Sequence, residues 1–355
     1  MSVYDIEGKA ICDCGEHKQL EDLIPNRLLV WHDEFDNPLD GKKWANIWGA
    51  GVSNPNMAYA KDIAKVANAG SGLQYRAIKD NPADGFNYSS AYLWTKNLFE
   101  FMYGRIEAKI RFPSATPHHS TFWTLGSNSD RKVTGEFTPW DGDVGVKFPS
   151  CGEIDIAEYD NGSVGARTHW SSGGFDTTSV YQTGGNIASL VNNPSEWHIY
   201  SCEWTATTIT FFVDGVQKGS WNTANAVANG WNPFNHPHYI ILNCVVATSG
   251  TPSWDVAQTE VKWVRVYAPV GVTEFIEETG ISIDSTASIT VGQRKWLAPT
   301  FTPANPSDMT LNWMSHNDDI VTCYGGMLIG VSAGTTYVQC TTKHGYTALC
   351  KVTVS

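Results

Sequence analysis

The stretch FMYGRIEAKIRF sets Arg105, Glu107, Lys109 and Arg111 against Ile106, Ala108 and Ile110, every second residue changing sides. Strand side chains point alternately to opposite faces, so this pattern describes a half-buried β-strand and makes no single stripe on a helix. TTITFFVDGVQKGSW behaves similarly and contains the hairpin dipeptide Asp214-Gly215. EVKWVRVYA alternates less regularly, with Val261 and Trp263 opposing Lys262 and Arg265. HYIILNCVV is almost continuously apolar, as expected of a strand covered on both faces. Short Val, Ile, Thr, Tyr and Trp runs between turn residues dominate, and no long 3.6-period apolar stripe appears. The chain therefore reads as all-β. Roughly 240 residues of such strands form one large antiparallel sandwich more naturally than several small domains.

This rhythm starts at NRLLVWHDEFD and ends with VKWVRVYAPV. The expected organisation is an N-terminal extension over 1–24, a large β body over 25–269, a linker over 270–279 and a second, small β unit over 280–355. The net charge of −12 and the absence of a basic cluster argue against nucleic acid and favour a neutral partner. No apolar run reaches the roughly 18 residues needed to span a membrane. The opening MSVYDIEGKAICDCGEHK lacks the basic start and apolar core of a signal peptide, so export is expected by a removed signal or another route. The eight cysteines are irregularly spaced and read as buried thiols. Cys12, Cys14 and His17 have no second half to complete a zinc site, and no metal or other cofactor is expected.

SCGEIDIAEYDNG, residues 150–162, places Glu153, Asp155 and Glu158 within six positions. Like charges this close raise one another's pKa, and no basic residue lies nearby in the stretch. Glu153 and Asp155 share a strand face, whereas Glu158 belongs to the other face unless one residue is inserted. A β-bulge, with Ala157 its natural place, brings all three acids to one face and leaves Ile154 and Ile156 to the core. Two carboxyl groups about 5–5.5 Å apart suit a retaining glycosidase, one attacking and one donating a proton. An acidic strand edge that resists aggregation and a calcium site give the same residues other uses. Trp123, Trp140, Phe148, Trp170 and Trp254 fall in or near loop-like stretches and could offer flat rings to sugar faces.

GEIDIAE resembles the bulged signature E-x-D-x-x-E of glycoside hydrolase family 16. The resemblance extends over about residues 26–268, through LLVWHDEFDNPLDGKKW, YGRIEAKIRFP, STFWTLG, EWHIYSCEWTATTITFFVDG, HPHYIILNCVV and VKWVRVY, in the family's order. It implies a concanavalin-like β-jelly-roll sandwich with an open cleft and retaining endo-hydrolysis of a β-linked polysaccharide. Glu153 becomes the nucleophile, Asp155 its assistant and Glu158 the acid/base. Trp123 matches a cleft-floor Trp, His169 a His near the reaction centre, Glu107 a sugar contact and Asn56 a cleft Asn. Departures fall around the cleft. Phe148-Pro149 replaces W-P, and Ser90-Ala91-Tyr92 replaces S-G-R, so Phe148 and Tyr92, with Trp254, join the expected substrate-binding set. Lys262 occupies the position of a calcium-ligating Asp, and an ammonium cannot be a ligand.

Residues 281–355 resemble a group 2 bacterial immunoglobulin-like domain, carried by TPANPSDMTLNWMSHNDDIVT and GGMLIGVSAGTTYVQCT. That resemblance implies a spacer or a surface or virion attachment unit, whose removal should leave activity on soluble substrate unchanged. The expected function is endo-hydrolysis of β-1,3 or mixed β-1,3/1,4-glucan outside the cell. A β-galactan or host-glycan hydrolase, and a non-catalytic carbohydrate-binding adhesin, are the alternatives.

Overall fold

The computed structural model describes residues 22–50, 57–83, 85–130, 144–178, 180–246 and 252–355. Two large sheets face each other, with eleven and seven strands among the described residues. The seven-stranded sheet is antiparallel throughout. Its order is Tyr181–Ile187, Ser163–Ser171, Glu153–Asp160, His119–Gly126, His238–Val245, Tyr92–Trp94 and Ala45–Asn46. The centre of the other sheet is built from His198–Trp204, Gly104–Arg111 and Val256–Tyr267. This is the sandwich that the period-two runs require, in jelly-roll form.

The core lies between the sheets. Phe122, Ile154, Ile156, Ile240 and Leu242 from one meet Ile106, Ala108, Ile110, Val264 and Val266 from the other. His238–Val245 is buried along its whole length, as its apolar run demands. Asp214 and Gly215 both take positive φ, 50° and 77°, and close the hairpin between Val213 and Val216. The irregular alternation in VKWVRVY has a physical cause. Register shifts between Val261 and Trp263, so Lys262 is the extra residue of a bulge. Its ammonium lies 5.1 Å from the centre of the Trp197 ring. Three residues on, Arg265 is fully buried and grips Glu34 through two bonds of 2.9 Å.

Residues 280–355 form a small β unit with its own core of Ala287, Ile289, Leu297, Val321, Leu328, Val338 and Val352. One sheet joins Thr286–Ile289, Thr347–Val354, Gly334–Thr342 and Leu311–Ser315, and another joins Arg294–Trp296, Met327–Gly330 and Val321–Tyr324. The unit is docked on the large body. Met309 N–H donates to the Glu100 carbonyl at 2.7 Å, and Glu100 N–H donates to Thr310 Oγ1 at 3.0 Å. The six described cysteines are all buried thiols, and Cys12, Cys14 and His17 lie outside the described residues.

Candidate active site

The acidic strand, Glu153–Asp160, is the third of the seven in its sheet, paired on both sides. Opposite the His119–Gly126 strand, Trp123 pairs with Asp155 and Phe122 with Ala157, which leaves Ile156 surplus. Opposite Ser163–Ser171 the register slips between Asp155 and Glu158. The bulge therefore occupies Ile156–Ala157, and both residues are buried with Ile154. Beyond it, Glu158 rejoins the face of Glu153 and Asp155. The strand is entered through Gly152, at φ +82°, where a Cβ would come within 2.9 Å of Pro233.

Cross-strand neighbours share a face, so the register places the rest of the site. Glu153 lies opposite His169, Asp155 lies between Trp123 and Arg167, and Glu158 lies opposite Thr121. His169 Nε2 is 3.0 Å from Asp155 Oδ2 and 3.7 Å from Glu153 Oε1. Tyr181 Oη lies 2.5 Å from His169 Nδ1. One ring nitrogen of His169 thus faces the two carboxylates while the other faces the Tyr181 hydroxyl. Burial pushes the Tyr181 phenol up to about 12, helped by the charges of Glu153, Asp155 and Glu158, which keeps it a donor.

Glu158 has different neighbours. Arg167 Nε is 2.7 Å from its Oε2, and His119 Nε2 is 3.6 Å from its Oε1. Its pKa is raised to about 7, mainly by burial and next by the Asp155 charge, against the lowering effect of Arg167 and His169. The sequence pointed to repulsion among the acids as the cause, but loss of water is the larger effect. Burial also holds the His119 imidazole below its ordinary range, which favours the neutral ring. The result is one carboxyl poised to give a proton near neutrality, beside another set in a network with His169.

Trp123 joins the acids on this face. Its indole N–H donates to Asn243 Oδ1 at 2.7 Å, and its ring meets Tyr92 edge-on at 6.4 Å. Tyr92 is fully buried behind it. Phe148 approaches from the side, its ring 5.9 Å from that of Tyr181. Glu107 does not belong to the set. It lies in the other sheet, on the face turned away from Ile106, Ala108 and Ile110, where Arg105 Nε meets it at 3.0 Å. Trp254 packs on Tyr88 and His118 near the Asp160 end of the acidic strand, not on the acids. Trp170 lies in the core against Trp221. Asn56 and Trp140 lie outside the described residues.

Arg167, His119 and Tyr181 are the residues that sequence reasoning missed. Two of them carried a usable signal. Arg167 stands two residues before His169, and His119 four before Trp123, spacings that share a strand face. Tyr181 had none, because its place depends on which strand pairs with Ser163–Ser171. Among the described residues, Glu153, Asp155 and His169 have ligand atoms within 4.8 Å of one another, close enough to hold a cation.

Comparison with known proteins agrees with this geometry. The model of glycosyl hydrolases family 16 matches residues 53–265. The beta-glucanase of Rhodothermus marinus is 31% identical over 267 residues, covering 69% of this chain and 87% of that protein. The clotting factor G alpha subunit of Tachypleus tridentatus is 30% identical over 270 residues, covering 72% of this chain but only 36% of that longer protein. The crystal structure of the laminarinase catalytic domain from Thermotoga maritima superposes with a TM-score of 0.56 at 25% identity, covering 69% of this chain and all of that one. With a jelly-roll sandwich, a bulged acidic strand inside one of its sheets and a family match across most of the large body, this chain belongs to glycosyl hydrolases family 16.

Proposed function

We propose that the protein is a retaining endo-hydrolase of β-1,3 or mixed β-1,3/1,4-glucan. The observation that carries this reading is the pairing on one face of Glu153, beside His169 and Asp155, with Glu158, whose pKa is raised to about 7. In the first step Glu158 gives its proton to the glycosidic oxygen as the C1–O bond breaks, and a Glu153 oxygen bonds to C1. In the second, the Glu158 carboxylate takes a proton from water, the water oxygen bonds to C1, and Glu153 leaves as a carboxylate. The His169–Asp155 contact orients the nucleophile's surroundings. Trp123 offers a platform for a sugar ring. The glucan preference rests on the beta-glucanase and laminarinase relatives.

A β-galactan or host-glycan substrate is the second reading, favoured by the changed surround. Phe148, whose ring meets Tyr181, and the buried Tyr92 stand at positions where the family's laminarin-cleaving pattern departs. Residues 280–355 are read as the immunoglobulin-like unit, on the support of a four-stranded and a three-stranded sheet around a separate small core. With a polysaccharide as substrate, the reading is of an enzyme acting outside the cell, secreted, on a cell surface or on a virion. Reducing-end release on laminarin, barley mixed-linkage glucan, galactan, agarose and mucin glycans tests the proposal. Cleavage of the first two upholds it, cleavage of galactan or mucin glycans alone transfers it to the second reading, and tight binding without turnover makes the protein an adhesin.

A further inference from the structure

The small C-terminal unit does not touch the large body at random. Arg294 forks onto Asp176, Nε to Oδ2 at 2.6 Å and an NH2 bond to Oδ1 at 3.1 Å, and the same NH2 reaches the Gly145 carbonyl at 2.5 Å. Paired bonds of this kind fix direction as well as charge. Both side chains are largely buried. Trp296 stands edge-on to Trp231 at 5.4 Å and to His236 at 4.9 Å, with Phe175 6.3 Å away. Gly325 sits so close to Asn128 that a Cβ would fall 2.7 Å from its carbonyl oxygen. Elsewhere the seam opens into a cavity of about 980 Å³, bordered by Trp44 and Phe275, so close contact is confined to parts of it.

The gripped segments lead to the site. Asp176 Oδ1 also accepts the backbone N–H of Lys147 at 3.1 Å, next to Phe148. The Ser150 hydroxyl lies 2.8 Å from the Gly174 carbonyl and accepts from Thr177 N–H at 2.9 Å, tying 147–150 to 174–177. Trp231 Nε1 donates to the Ser150 carbonyl at 2.7 Å. From Ser150 the chain runs through Gly152 into Glu153, and from Asp176 it runs on to Tyr181, the partner of His169. One carboxylate thus joins the C-terminal unit to both stretches that carry the aromatic side of the site.

We propose that the C-terminal unit is a working part of the sugar-binding wall, with Arg294 a positioning residue that sets Phe148 and Tyr181 through Asp176. This rests on the hydrolase reading above. It contradicts the expectation of a detachable spacer drawn from the sequence.

The test uses the full chain with Arg294→Ala and, separately, Asp176→Asn, which keeps an acceptor for Lys147 N–H but removes the ionic partner. KM and kcat are measured on whichever polymer the wild type cleaves, with amide hydrogen exchange as a readout that needs no substrate. The expected result is faster exchange over 145–150 and 172–178 in both variants, with KM raised roughly 5-fold or more and kcat little changed. The double variant should be no worse than either single one, because both remove the same link. Unchanged exchange in both variants, or faster exchange with unchanged KM, overturns the proposal. A wild type that cleaves no polymer defeats the hydrolase reading instead, and a wild type that cleaves while these variants match it defeats only this inference.

Discussion

Replacing Arg167 by Met should move the alkaline limb of the pH–rate profile upward. Arg167 Nε lies 2.7 Å from Glu158 Oε2, placing the charge centres roughly 4 Å apart, where unit charges interact by about 4 kcal/mol at an effective dielectric near 20. The side chains are 32% and 18% exposed, so solvent screening reduces this. A net loss of about 1–2 kcal/mol is reasonable for such a half-buried pair, equivalent to about one pH unit. Removing the cation disfavours the carboxylate, so the Glu158 pKa rises from about 7. His119, His169, Asp155 and Asp160 remain around it. Glu158 must be protonated when the glycosidic bond breaks, and the alkaline limb of kcat/KM reports its ionisation in the free enzyme. That limb should shift up by about one unit while the acid limb stays in place. An unmoved alkaline limb, or one moved downward, would refute the assignment of Glu158 as the acid or of Arg167 as its counter-ion.

Other consequences are open to simple assays. Glu158→Gln should lower kcat/KM on glucan by about 10²–10⁴ and lower kcat/KM on a dinitrophenyl glycoside far less, because kcat/KM reports the first step and that leaving group needs no proton there. Equal losses on both substrates would speak against the acid role. Glu34→Ala should destabilise the protein by about 3 kcal/mol in urea unfolding, because it removes the carboxylate that takes two bonds from the fully buried Arg265. A near-neutral result would mean that water reaches the guanidinium. EDTA should leave hydrolysis unchanged if Glu153, Asp155 and His169 work as a hydrogen-bonding set, whereas inhibition reversed by added calcium would assign a cation a role.

Much of the site was legible in EIDIAE. Period two and one inserted residue suffice to bring Glu153, Asp155 and Glu158 to one face, and the register agrees. Glu107 shows the limit of the same reasoning. Alternation divides a strand into two faces without saying which sheet the strand joins, and Glu107 is on the far sheet beside Arg105. Local charge spacing likewise named repulsion as the force on Glu158, while burial, a property of the packed fold, acts more strongly. Arg167 lay only nine residues beyond Glu158, yet a turn at Asn161-Gly162 was needed to bring them together. The docking of Arg294 on Asp176 spans 118 positions, and no local pattern marks it.

Glu153 as the nucleophile of this acidic strand is tested by reducing-end release from laminarin and mixed-linkage glucan by wild type and Glu153→Ala, with thermal unfolding of both. Glu153 is part-exposed and contributes little packing, so the variant should melt like the wild type and lose turnover by several orders of magnitude. A folded Glu153→Ala protein that still cleaves at a rate near the wild type's would mean that Glu153 is not the nucleophile.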